Sequence, residues 1–135
     1  MPKPTRDRKE PSSVCSAKIV SIVDDDEFVR NAISSLVRSY GWQISTFASA
    51  AQFLASDAVG EASCLICDVQ MPGTTGVELQ EYLNEGGVSI PTIFITAYPS
   101  GALRAQLMSS GALCLIEKPI DTAELASWLT RILEI

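Results

Sequence analysis

Five short apolar runs punctuate the chain: Lys18–Val23, Trp42–Phe47, Ser63–Cys67, Thr92–Ile95 and Ala112–Ile116. They read as continuous rather than alternating runs, which predicts strands of a parallel sheet covered on both faces. Between and after them, apolar residues recur every three or four positions, the spacing of one helix face. The first such stretch aligns Val29, Ile33, Leu36, Val37 and Tyr40 and stops at Gly41. A short second helix carries Phe53 and Leu54 behind Ser49 and Gln52, which have the spacing of a capping box. Thr75 and Glu78 form the same signature ahead of Val77, Leu79, Tyr82 and Leu83, with Gly86-Gly87 as the stop. A fourth helix is predicted from Gly101 to Ser110, ending at Gly111. A fifth, capped by Asp121 and Glu124, carries Leu125, Leu129, Ile132 and Leu133. Five strands alternating with five helices predict an α/β, doubly wound parallel sheet.

Residues 1–17 lack this periodicity and are rich in Pro, Lys and Arg, so a mobile tail is expected there and one domain over 18–135. The net charge is −6, and the tail holds four basic and two acidic residues, which leaves −8 for the remainder. That balance argues against direct nucleic-acid binding. No apolar run approaches the ~18 residues of a membrane span, and no apolar segment follows the basic residues of the tail. A cytoplasmic protein is expected. The chain has no histidine, which removes Ser-His-Asp and Cys-His catalysis, histidine metal sites and any phosphohistidine of its own. Cys64 and Cys67 form a C-x-x-C, but residues three apart in a strand face opposite ways, so their sulfurs cannot meet. They are expected to be small buried apolar residues in a reducing compartment.

The chemistry collects where the strands end. In an open parallel α/β sheet, ligands sit at the carboxyl ends of the strands. Four of the five predicted strands deliver polar residues there: Asp24 and Asp25, Asp68, Thr96, and Lys118. Asp68 ends an apolar run and is followed at once by a Pro-Gly turn. Alone, it would read equally well as a strand-end turn residue. Three carboxylates, a hydroxyl and an ammonium on one edge are harder to explain as solvation. Close carboxylates repel, so a hard divalent cation such as Mg²⁺ is expected among them. Such a site suits phosphoryl transfer, with Asp68 attacking phosphorus in line and Lys118 offsetting charge on the phosphoryl oxygens. Thr96 would donate a hydrogen bond to the transferred group. A cis Lys118–Pro119 peptide would fix the lysine loop.

The chain resembles the receiver domain of two-component response regulators, from about Lys18 to Leu133. The resemblance rests on Ile22-Val23-Asp24-Asp25-Asp26, Asp68-Val69-Gln70-Met71-Pro72-Gly73, Ile95-Thr96-Ala97 and Glu117-Lys118-Pro119, whose order and spacing look most like the FixJ-type branch. It implies a flavodoxin-like (βα)5 fold with strand order 2-1-3-4-5. It also implies that Asp68 is the phosphoacceptor, that Asp25 binds Mg²⁺ directly and Asp24 mainly through water, and that Gln70 lends its backbone carbonyl to the metal. Thr96 becomes the switch hydroxyl and Lys118 the phosphoryl ligand. By the same resemblance, Gln70 and Tyr98 occupy positions that tune dephosphorylation. The implied donor is a sensor histidine kinase or phosphotransfer protein, and the output is a downstream effector. A homodimer formed on phosphorylation is a further expected partner. Catalysis would be limited to the domain's own phosphorylation and dephosphorylation. Asp26 and Glu27 match no ligand role and are expected to start a helix.

The pattern departs from the family at Leu115, where receivers often carry Tyr or Phe three residues before the site lysine. Most regulators of the branch continue into a DNA-binding domain, and a stand-alone receiver and a piece of a longer regulator both stay open here. The alternative enzyme is a Mg²⁺-dependent phosphatase with an Asp nucleophile, resembling haloacid dehalogenases. That class wants a second acid two residues after the nucleophile, where this chain has Gln70. A nucleotide-binding domain is weaker, because no glycine-rich phosphate loop follows the first strand. An interaction module with an inactive acidic site is the third option.

Overall fold

A computed structural model describes residues 18–134. The tail expected over 1–17 lies outside the described residues. Five parallel strands run in the order β2-β1-β3-β4-β5: β1 (Ile19–Val23), β2 (Gln43–Phe47), β3 (Cys64–Asp68), β4 (Thr92–Thr96) and β5 (Cys114–Glu117). The central strands β3 and β4 are buried at every position, as their unbroken apolar runs require. The edge strand β2 is only partly covered.

Alternate side chains feed two cores. Ile22, Ile66, Ile93, Ile95 and Ile116 pack beneath α1 (Glu27–Ser39) and α6 (Thr122–Leu133). Leu65, Cys67, Phe94 and Leu115 pack with the opposite helices: α2 (Ala50–Leu54), α3 (Ala58–Glu61), α4 (Gly76–Glu85) and α5 (Gly101–Ser109). Fully buried side chains of this size each contribute about 1.5–3 kcal/mol. Cys64 lies in the first core and Cys67 in the second, so the C-x-x-C is divided by the sheet. Cys64, Cys67 and Cys114 are free and buried.

Local signals start most helices where the sequence predicts. Asp26 is the N-cap of α1 and accepts the Phe28 N–H at 2.9 Å. Thr75 and Glu78 form a complete capping box on α4. At α2 the box is displaced: Ser49 accepts the Gln52 N–H, but Gln52 reaches back to the Ala48 N–H. Asp121 caps α6 through the N–H groups of Ala123 and Glu124.

The helix count differs from expectation, because two short helices rather than one join β2 to β3. Ser56 causes the break. Its hydroxyl donates to the Phe53 carbonyl at 2.7 Å and accepts the Ala58 N–H at 3.2 Å. These bonds replace the helical ladder at that turn.

One glycine sets how closely α4 approaches the sheet. A Cβ on Gly76 would lie 2.6 Å from the Asp68 carbonyl oxygen and 3.0 Å from the Val69 Cα. Both are backbone atoms, so neither can swing aside. Gly76→Ala is expected to destabilise the fold by about 1–3 kcal/mol and to shift the β3–α4 loop. Urea unfolding and the amide shifts of residues 68–76 would check this; an unchanged midpoint would show that the approach has slack.

Candidate functional site

The strand order reverses direction at β1, so β1 and β3 lie side by side and open a crevice at their carboxyl ends. Asp24 and Asp25 follow β1, and Asp68 ends β3. One oxygen from each of Asp24, Asp25 and Asp68 can be chosen so that all lie within 4.8 Å of one another. Asp24 and Asp68 are buried and Asp25 is exposed. Lys118, just past β5, brings its Nζ to 3.3 Å from Asp24 Oδ2 and 3.4 Å from Asp68 Oδ2. The Lys118–Pro119 peptide is cis.

The β1–α1 loop is braced from both sides. Asp24 Oδ1 accepts the Asp26 N–H at 2.8 Å, and Arg30 Nη1 donates to the Asp24 carbonyl at 2.7 Å. Asp24 Oδ2 is shut off from solvent and has no hydrogen-bond donor; its neighbour Lys118 pairs with it by charge but outside hydrogen-bond geometry. The Lys118 ammonium offsets part of the cost of burying that oxygen, and a second cation would offset more. An all-oxygen donor set with one such oxygen fits a hard divalent cation.

Electrostatics follow from burial and crowding. Burial pushes the Asp68 carboxyl up to about 6; the Asp24 charge adds to the rise and Lys118 only partly opposes it. Burial likewise raises Asp24, against the Asp26 N–H and Lys118. Burial alone would lower Lys118, but the charges of Asp24 and Asp68 outweigh it and hold the ammonium above its ordinary range.

Thr96 ends β4, and its carbonyl accepts the Lys118 N–H at 2.7 Å, which places it between the Asp68 and Lys118 strands. Its hydroxyl is engaged with Gln70: Thr96 Oγ1 donates to Gln70 Oε1 at 2.6 Å and accepts the Tyr98 N–H at 3.0 Å. Leu115 is 4% exposed and packs in the same core as Phe94 and Leu107. Three site features escaped the sequence: Arg30, the bond between the Gln70 side chain and Thr96, and the clearance at Gly76. A signal for Arg30 exists only once α1 is known to begin at Glu27, because helical side chains lean back toward the N-terminus and so reach the preceding strand end.

The sequence pattern of the response regulator receiver domain family matches residues 20–130. The chain belongs to that family. This receiver domain is 38% identical over 109 residues to the response regulator protein TodT of Pseudomonas putida, covering 81% of this chain and 48% of TodT. It is 36% identical over 104 residues to the transcriptional regulatory protein FixJ of Azorhizobium caulinodans, covering 77% of this chain and 49% of FixJ. Among solved structures, it is similar to the response regulator StyR with a TM-score of 0.81 and 34% identity, covering 88% of this chain and 60% of StyR. The chain thus spans about half the length of the two relatives matched by sequence. Family membership sets the phosphatase alternative aside. Among the described residues, no helix is long and apolar enough to cross a membrane.

The raised Asp68 has a measurable consequence in the metal-free receiver. The folded protein holds that proton more tightly than the unfolded chain, so stability falls as pH rises from 3.8 to about 6. Asp68→Asn is expected to exceed wild type in stability above pH 6, by on the order of 3 kcal/mol. The gap should narrow toward pH 4. Urea unfolding in chelator across this range checks it, and a gap independent of pH would refute it.

Proposed function

We propose that this receiver domain accepts a phosphoryl group on Asp68 from a phosphohistidine of a sensor kinase or phosphotransfer protein. The observation that carries the reading is the shared ammonium: Lys118 lies 3.3–3.4 Å from both Asp24 and Asp68 at the crevice between β1 and β3. An Asp68 oxygen attacks phosphorus, the O–P bond forms, and the P–N bond breaks as the imidazole leaves with its electron pair. Lys118 then exchanges a carboxylate oxygen for a phosphoryl oxygen, and Thr96 donates to another.

Asp24, Asp25, Asp68 and the Gln70 backbone carbonyl are the residues that would hold Mg²⁺. When bound, the ion supplies charge compensation for the crowded carboxylates and the equatorial phosphoryl oxygens. The Asp26 N–H holds the Asp24 carboxylate and Arg30 holds the Asp24 backbone carbonyl, both without help from the ion. An apolar groove lined by Phe28, Ala32, Ile33, Pro119 and Ile120 adjoins Lys118 and offers the donor protein a seat beside the acceptor. Phe28 is 83% exposed there. The output is a conformational change read by a downstream effector. The domain lies over 18–135, with the tail before it, and its chemistry is confined to its own phosphorylation and hydrolysis.

Incubation with acetyl phosphate and Mg²⁺ is expected to add one phosphoryl mass to wild type and none to Asp68→Asn. Stoichiometric phosphate on the variant would overturn the assignment. Millimolar Mg²⁺ is also expected to raise the melting temperature of the unphosphorylated protein, because it binds the folded state alone. Asp25→Ala should abolish most of that rise; an equal rise in both proteins would place the ion elsewhere.

A further inference from the structure

We propose that the Gln70 side chain is a latch on the switch hydroxyl: it holds Thr96 away from the acceptor until a phosphoryl group on Asp68 draws it off. The inference rests on the reading of Asp68 as acceptor. The two hydrogen bonds of Thr96 Oγ1 define the latch. It accepts the Tyr98 N–H at 3.0 Å, and its single proton goes to Gln70 Oε1 at 2.6 Å. A hydroxyl has one proton, so Thr96 cannot donate to Gln70 and to a phosphoryl oxygen at once. Phosphorylation therefore requires an exchange of partners.

The exchange has a defined direction. The Gln70 amide oxygen is a neutral acceptor, whereas a phosphoryl oxygen is anionic, and charge-assisted bonds are roughly twice as strong. Gln70 is exposed, so its released carbonyl can be satisfied by water. Thr96 is fully buried and has no such recourse. The bond also spans two loops, since Gln70 follows β3 and Thr96 ends β4. Breaking it removes this side-chain link between the β3–α4 loop and the end of β4, while the Val69 N–H bond to the Ile95 carbonyl stays. Gln70 is thus a positioning residue that acts through Thr96, and it opposes activation by the free energy of one hydrogen bond. The phosphoryl group shifts the equilibrium only by its preference for the unlatched state.

Gln70→Met keeps the length of the side chain but removes the acceptor. With Mg²⁺ present, its apparent affinity for the phosphoryl mimic beryllofluoride is expected to exceed that of wild type by roughly three- to tenfold, the equivalent of one neutral hydrogen bond. In a Thr96→Val background, the same substitution should give no gain, because the latch needs both partners. A second measurement requires neither metal nor mimic: in the free protein, Gln70→Met should move the Thr96 methyl and Tyr98 amide resonances toward their positions in beryllofluoride-bound wild type. Equal affinity in Gln70→Met and wild type would overturn the latch and leave the Asp68 reading standing. An equal gain in both backgrounds would also overturn it, since Gln70 would then act without Thr96. Failure of wild type to bind beryllofluoride would overturn the Asp68 reading and the latch together.

Discussion

Two buried carboxylates share one ammonium at the carboxyl end of a parallel sheet, with a third, exposed acid beside them, and the rest of the site is arranged around that imbalance. Lys118 reaches both buried acids but leaves one oxygen of Asp24 without a hydrogen-bond donor. In water, such crowding would relax by spreading the side chains apart. Here the acids extend from the ends of strands locked in register and are buried there, so burial first and their mutual repulsion second hold Asp68 and Asp24 above the ordinary carboxylate range. The crevice is thereby prepared for added positive charge, and Asp68 is held beside the cation that a transferred phosphoryl group would need.

Rigidity around the crevice comes from cover on both faces of the sheet. β3 and β4 are buried throughout, and their alternating side chains join two cores. The Lys118 loop, the turn after Asp68 and the Thr96–Tyr98 segment each meet at the site through only a few polar contacts. Leu115 lies sealed in the core beneath them, with neither a ring nor a hydroxyl to carry in or out of solvent. The polar pair Gln70–Thr96 joins the turn after β3 to the end of β4 by a side-chain hydrogen bond.

Much of this was legible before any coordinates. Apolar runs and helical periodicity place all five strands within a few residues of their observed bounds, and Asp26, Thr75 and Asp121 begin helices as their side chains predict. These signals are local: a cap or an apolar face is decided within about one or two helical turns. The failures are local signals that had a competitor. One short helix carrying Phe53 and Leu54 was expected between β2 and β3, yet the Ser56 hydroxyl bonds both the Phe53 carbonyl and the Ala58 N–H where α2 gives way to α3. Gln52 had the right spacing for a capping box, yet reached the neighbouring Ala48 amide.

The sequence by itself determined which polar residues end the strands, because strand ends follow from the apolar pattern and the sheet's polarity follows from helices between parallel strands. Only the tertiary structure decided what those residues do to one another. Thr96 and Gln70 are 26 residues apart, and their bond exists because β4 lies beside β3. Lys118 meets Asp24 across most of the chain, through a sheet that no local pattern describes. The same holds for Gly76, whose missing Cβ matters only because α4 comes to rest against the Asp68 carbonyl. Burial, charge and hydrogen-bond partner are properties of the assembled edge, and they depend on distances that only the packed strands set.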